Sequence, residues 1–154
     1  MKKPQSSNSN EVIDCLQDIS ALMGQSKFND ALVKLDECEK KFTDDINLSL
    51  NKAGLLIDLG FYLNDIDIVE RGISAGETCL TDPVLKEHKG MLLYNVANGI
   101  HFRIRKYFND NNTYFGTEAD IRRCIEMLRE SIKLTRESNA MVHLGNLYDE
   151  TGRA

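Results

Sequence analysis

The chain has 154 residues, 42% hydrophobic and 28% charged, enough apolar material for one soluble domain with a buried core. Its net charge of −5 argues against a general nucleic-acid binder. No apolar run approaches the length of a membrane span, and the opening stretch, Met1 to Asn10, is polar and lacks the apolar segment of a signal peptide.

Residues 1–10 are expected to form a disordered tail. From there on the apolar positions follow a helical period, and no strand alternation interrupts them. Ile13, Leu16, Ile19 and Met23 predict a first helix from about Glu11, ended by Gly24. Ser26 is placed to cap a second helix with Phe28, Ala31, Leu32, Leu35 and Cys38 on its inner face. Asp44 and Asp45 put negative charge at the start of a third, which is expected to stop at Gly60. Asn64 opens a fourth, carrying Ile66, Val69, Ile73, Gly76 and Leu80. Asp82-Pro83 is a strong start signal for a long fifth helix reaching about Tyr107. After the polar loop Asn109 to Thr113, Thr117 and Asp120 have the spacing of a capping box ahead of Ile121, Cys124, Ile125, Leu128 and Ile132. A seventh helix runs from about Ser138 to Glu150, with Gly152 just beyond.

Cys15, Cys38, Cys79 and Cys124 are far apart, form no CxxC or Cys/His cluster, and sit inside apolar helical patterns. Four reduced, buried thiols and a cytoplasmic location are therefore expected.

Three segments share a pattern: Ala53 to Gly60 with Phe61-Tyr62, Tyr94 to Ile100, and Leu144-Gly145 with Tyr148 and Gly152-Arg153. They resemble the first helix of a tetratricopeptide repeat, in which a small residue follows an apolar one, then an aromatic, then Gly at the turn. Ala31 and Leu35, and then Cys124, Leu128, Ser131 and Ile132, match the second helix. The spacing from Ala53 to Ala97 to Gly145 is 44 and then 48 residues, longer than the family's usual 34. The resemblance covers most of residues 11–154 and implies an all-α fold of about seven helices, with antiparallel pairs stacked as a divergent α-solenoid; a plain antiparallel bundle is the alternative. At Ala53, Ala97 and Gly145 a small side chain would let the neighbouring helix approach closely. Because the pattern expects a second helix after Tyr148, the resemblance also implies an array truncated at its C-terminal end, the front part of a larger protein.

In such arrays the first helix of each pair lines a concave groove. The resemblance therefore assigns a partner-binding groove to Asn47, Asn51, Tyr94, Asn95, Asn98, His101, His143 and Asn146. An Asn amide can both donate to and accept from a peptide backbone, which suits recognition of a protein or peptide segment. Solvated polar positions on exposed helix faces are the plainer account of the same residues. The related carboxylate-clamp pattern is not met, since Lys52 falls one position off and the last pair offers His143 in place of a cation.

The stretch from Lys86 to Lys106 carries five Lys/Arg against one Glu, on an otherwise acidic chain. Within it, Arg103, Arg105 and Lys106 alternate with aromatics as an anion contact, for phosphate of RNA or of a phosphoprotein. The other account of these cations is that they complement the negative end of a helix. His88, His101 and His143 are too scattered for a metal site, and no phosphate-binding loop, nucleophile elbow or paired-carboxylate motif occurs. No cofactor, metal or catalytic residue is expected. The leading expectation is thus a protein- or peptide-binding scaffold. Its rivals are the regulatory arm of a larger effector enzyme such as a nuclease or protease, bound to its own downstream domain, and RNA binding through the basic patch.

Overall fold

A computed structural model describes the backbone of residues 5–136 and 138–152, with side chains from Asn10 onward. Among the described residues the chain is all-α. The helices are α1 (Gln5–Gly24), α2 (Phe28–Lys41), α3 (Ile46–Leu63), α4 (Ile66–Leu80), α5 (Lys89–Asn111), α6 (Glu118–Thr135) and α7 (Ser138–Thr151). A 3-10 turn, Pro83–His88, precedes α5. No described helix is long and apolar enough to cross a membrane.

Neighbours in sequence pack as neighbours in space. A second set of contacts joins alternate helices: α1 touches α3, α3 touches α5, and α5 touches α7. The even-numbered helices are linked by ion pairs, Arg71 of α4 to Asp36 of α2 at 3.0 Å and Arg123 of α6 to Glu77 of α4 at 3.2 Å. The molecule therefore has one face built from α3, α5 and α7, and another laced by charge.

The core falls into two large clusters and a small third one of Cys79, Leu85 and Leu92. Val12, Ile19, Ala31, Leu35, Leu56 and Leu59 fill the space between α1, α2 and α3. Val69, Ile73, Val96, Ile100, Ile104, Ile121, Leu128 and Leu147 fill the space between α4, α5, α6 and α7. Each large side chain fully withdrawn from water contributes about 1.5–3 kcal/mol.

Close approach of the helices depends on glycine at several points, of which Gly60 and Gly99 place α3, α4 and α5. A Cβ on Gly60 would lie 2.4 Å from Val69 Cγ2, so α4 crosses α3 there. Gly60 is consequently interior to α3 and does not end it. A Cβ on Gly99 would meet Ile73 of α4 at 2.7 Å and Ile57 of α3 at 3.1 Å, which makes α5 the element on which both earlier helices rest. Gly145, by contrast, has no neighbour within 4 Å of the corresponding point, so the close approach expected there is absent.

Several helix boundaries differ from the sequence reading. Six residues of the expected tail, Gln5 to Asn10, are helical, while residues 1–4 lie outside the described part, as does Arg153. Once the segment from Glu11 has nucleated a helix, each upstream residue adds a hydrogen bond at little further cost. Ser26 does not cap α2. It takes φ +60° in a Schellman turn, with Ser26 N bonded to Met23 O at 3.0 Å and Lys27 N to Leu22 O at 2.9 Å. Asn64 plays the same part, closing α3 at φ 50°, and Asp65 accepts from Asp67 N and Ile68 N to open α4. Asp82 caps as expected, accepting from Val84 N at 3.0 Å, but the turn it opens is 3-10, and α5 begins at Lys89. The capping box at Thr117 does not form. Thr117 Oγ1 donates to Tyr114 O at 2.6 Å, and Asp120 is drawn away to Arg103.

The expectation of four reduced thiols holds for only two. Cys15 of α1 and Cys38 of α2 form a disulfide, whereas Cys79 and Cys124 are free and buried. The pair is 23 residues apart in sequence, but the antiparallel packing of α1 on α2 brings the Cα atoms to 6.2 Å, within disulfide reach.

Candidate functional site

The face shared by α3, α5 and α7 carries a cavity of about 260 Å³. Helical spacing sets its walls. Ile57, Asp58, Phe61 and Tyr62 come from successive turns of α3; Tyr94, Asn98, His101, Phe102 and Arg105 come from α5; His143 comes from α7. Phe61 meets Phe102 edge-on with centroids 6.2 Å apart, and Tyr94 meets His143 in the same manner at 5.5 Å. Tyr62 is stacked on Phe28 of α2 at 4.5 Å, which fixes its ring at the rim.

Two polar atoms in this wall are buried without a hydrogen-bond partner among the described residues, Asn98 Oδ1 and His143 Nδ1. Leaving such an atom unpaired costs about 1–3 kcal/mol, so the pair marks a place where the fold gives up stability.

Beside them lies a charged support. His101, only 2% exposed, places Nε2 2.8 Å from Glu150 Oε2 of α7. Arg105 Nε contacts both oxygens of the same carboxylate at 3.0 and 3.1 Å, and its Nη2 adds a further contact to Oε1. Burial holds His101 below the ordinary histidine range, despite the upward pull of Glu150. It is therefore a neutral imidazole donating its Nε2 hydrogen to a carboxylate, which can only accept. His143 is also pushed down, by burial first and then by His101 and Arg105. Burial alone would raise Glu150, but the Arg105 and His101 hydrogen bonds outweigh it and keep the carboxyl low.

Asp58 differs from Glu150. Asp58 is exposed as a residue, yet the protein around its carboxyl removes enough water to raise it above the usual range, and no described side chain forms a hydrogen bond or ion pair with it. Among the described residues no group of three or more His, Cys, Asp or Glu side chains is placed to hold a metal ion.

Comparison of this chain with protein-family models, with curated proteins and with solved structures returned no match.

Of the eight groove residues expected from sequence, four are brought together here: Tyr94, Asn98, His101 and His143. Asn95 is not among them. Its Nδ2 sits 3.0 Å from where a Gly54 Cβ would be, so it packs α5 against α3. Asn47 and Asn51 are exposed near the start of α3, where Asn51 Nδ2 donates to Asn47 O at 2.8 Å, and Asn146 is exposed on α7.

The expected anion contact has a different arrangement. Arg103 is tied to Asp120 of α6 at 2.8 Å and to Glu70 of α4 at 3.0 Å, Arg105 to Glu150, and Lys106 to Asp110 at 3.5 Å. Each cation already has a carboxylate partner, and Arg103 joins three helices. Nor do Arg103 and Arg105 serve a helix end, the other account of them, since both partner sets come from different helices.

Asp58, Phe61, Tyr62, Phe102 and Glu150 were not legible as site residues. Placing the end of α3 at Gly60 put Phe61 and Tyr62 in a turn. Extending the helix by one turn would have aligned them with Ile57 and Asp58.

Proposed function

We propose that this chain is a binding module, with the α3–α5–α7 face as the surface that receives a protein or peptide segment. The observation that carries this reading is the pair of buried atoms without partners, Asn98 Oδ1 and His143 Nδ1, on the wall of an aromatic-lined cavity. A segment laid across the face can satisfy both from its backbone or side chains, recovering the stability the free protein forgoes. The stacking of a tetratricopeptide-like solenoid suits this surface. It draws support from the successive contacts of α1, α3, α5 and α7 and from the small residues Ala53 and Ala97, both fully buried at helix crossings.

Binding by RNA through the basic patch draws no support, because Arg103, Arg105 and Lys106 are neutralised in place. A regulatory arm acting on a separate catalytic domain would use the same face and is a special case of the same binding. A cytoplasmic location draws on Cys79 and Cys124, which remain thiols; the Cys15–Cys38 disulfide withdraws the other half of that support.

The test is selection from a displayed library of random linear peptides. Enriched peptides should lose binding to an Asn98→Leu variant by about tenfold or more. They should keep binding to Arg71→Ala, a change on the charged face. Equal loss with both variants, or no enrichment, overturns the assignment of this face.

A further inference from the structure

Resting on that reading, we infer that the cavity between α3, α5 and α7 takes a primary ammonium group on an aliphatic stem, supplied by a lysine side chain of the bound segment. The acceptors on its wall and the aromatic rings around them specify that chemistry.

Asn98 Oδ1 can only accept a hydrogen bond, and so can the Asp58 carboxylate. His143 Nδ1 accepts when the imidazole is neutral with its hydrogen on the other nitrogen. The three acceptors belong to residues that line the cavity from α3, α5 and α7, and an ammonium has three N–H donors and no acceptor of its own. An ionised carboxylate would bring only further acceptors to Asn98 Oδ1 and His143 Nδ1 and would leave both without a partner. The cation nearest the site, Arg105, is committed to Glu150.

Charge points the same way. Among the groups around the cavity, Arg105 and Glu150 cancel, His101 and His143 are held toward the neutral form, and Asp58 is left as an unpaired negative charge. Desolvation raises the Asp58 carboxyl, and a bound cation would favour its ionised form.

The rest of the lining fits the stem. Phe61, Tyr62, Tyr94 and Phe102 offer ring faces and edges to a cation and its methylenes, and Ile57 closes the floor. The volume of about 260 Å³ admits a four-carbon chain with its ammonium head. Four aromatics beside a single carboxylate are the elements of an aromatic cage, here assembled from two different helices.

The experiment titrates the full chain with four probes while following the His143 ring and Asn98 side-chain amide signals by NMR. The probes are N-acetyl-lysine methylamide, n-butylammonium, the neutral isostere N-acetyl-norleucine methylamide, and N-acetyl-glutamate methylamide. Blocked lysine should shift both signals saturably, whereas blocked norleucine and blocked glutamate should not. Asp58→Asn and Asn98→Leu should each weaken the lysine titration by about fivefold or more. Both variants are to be checked by thermal melting, and Asp58→Asn, at an exposed position, serves if Asn98→Leu unfolds. If n-butylammonium matches blocked lysine, the pocket reads the ammonium and stem alone; if lysine is clearly tighter, the backbone adds to it. Either result supports the proposal. Equal shifts with norleucine, or an Asp58→Asn variant that titrates like the parent, overturn it.

The outcome is separable from that of the binding face. Peptides selected on the face that contain no lysine, and that bind Asp58→Asn normally, would leave the face standing and remove the ammonium pocket. Saturable lysine binding without any selected peptide would do the reverse.

Discussion

Arg105 Nε lies 3.0 Å from Glu150 Oε1, and the same carboxylate receives His101 Nε2 at 2.8 Å, so one acidic residue of α7 holds two basic residues of α5. Among the described residues these are the hydrogen bonds that join the two helices, beside the ring contacts of His143 with Tyr94 and His101. Glu150 is about three-quarters buried at its side chain, while Arg105 is nearly half exposed. The exposed part of Arg105 is screened by solvent, and the buried part, with His101, is not. Replacing Glu150 with Leu should lower the unfolding free energy by about 1–3 kcal/mol, measured by urea denaturation. It should also push His101 further below the ordinary histidine range, because the hydrogen bond that raises it is lost. A titration of the His101 ring signals that does not move would contradict the assignment of the tie.

The two histidines make stability depend on pH. Both hold their protons less tightly in the folded chain than in the unfolded one, chiefly through burial. Below the ordinary histidine value of about 6.5, the unfolded state therefore binds more protons, and stability declines as pH falls. Well above that value neither imidazole carries a second proton in either state, and their contribution is level. Glu150 adds a decline at lower pH, since its carboxyl is held down in the fold and protonates only under more acidic conditions. Thermal melts should be flat from about pH 8 to 7 and should drop between about pH 6.5 and 5. His143→Gln should reduce that drop; an undiminished slope would place its origin elsewhere.

The elements were legible in the sequence because their signals are local. Apolar residues three and four apart mark the inner face of every helix, and Asp45 and Asp82 cap their elements through bonds spanning two or three residues, whereas the cap of α4 is Asp65, one residue after the Asn64 expected there. Chain reversals were harder, because Ser26 and Asn64 adopt left-handed conformations that sequence associates first with glycine. The site was legible in part. Tyr94, Asn98, His101 and His143 were named from a repeat pattern, yet that pattern could not report that Asn95 turns toward Gly54. Nor could it report that Arg103 would find Glu70, 33 residues away, or that Cys15 would find Cys38. Those partnerships depend on which helices meet, and on where along their lengths they do so.

The disulfide gives a chemical prediction. Peptide mapping of the non-reduced protein should recover Cys15 joined to Cys38. Native alkylation should leave Cys79 and Cys124 unmodified, since both are buried, and burial pushes the Cys124 thiol up to about 12. Opening the bridge with a Cys15→Ser, Cys38→Ser double change releases a loop of 23 residues' separation, and should cost about 2–4 kcal/mol. Recovery of Cys15 and Cys38 as free thiols from the oxidised protein would remove the bridge from the fold.

Two glycines in helix interiors should respond to alanine in opposite directions. In an exposed helix, Gly→Ala stabilises by about 0.5–1 kcal/mol, because alanine loses less backbone entropy on folding. Gly145 of α7 has nothing within 4 Å of a new Cβ, so Gly145→Ala should raise the melting temperature. Gly99 of α5 has the same intrinsic preference working on it, but a methyl there would sit 2.7 Å from Ile73 Cγ1, with Ile57 at 3.1 and 3.2 Å on its other side. Neither isoleucine has room to retreat, since Ile73 is 2% exposed and Ile57 4%. The clash should cost about 1–3 kcal/mol, enough to outweigh the propensity gain and lower the melting temperature. It should also separate α5 from α3 and so widen the cavity that lies between them. Gly99→Ala should thus weaken peptide binding as well as stability, whereas Gly145→Ala should leave binding unchanged. Equal stabilisation by both substitutions would mean that α3, α4 and α5 do not meet at Gly99.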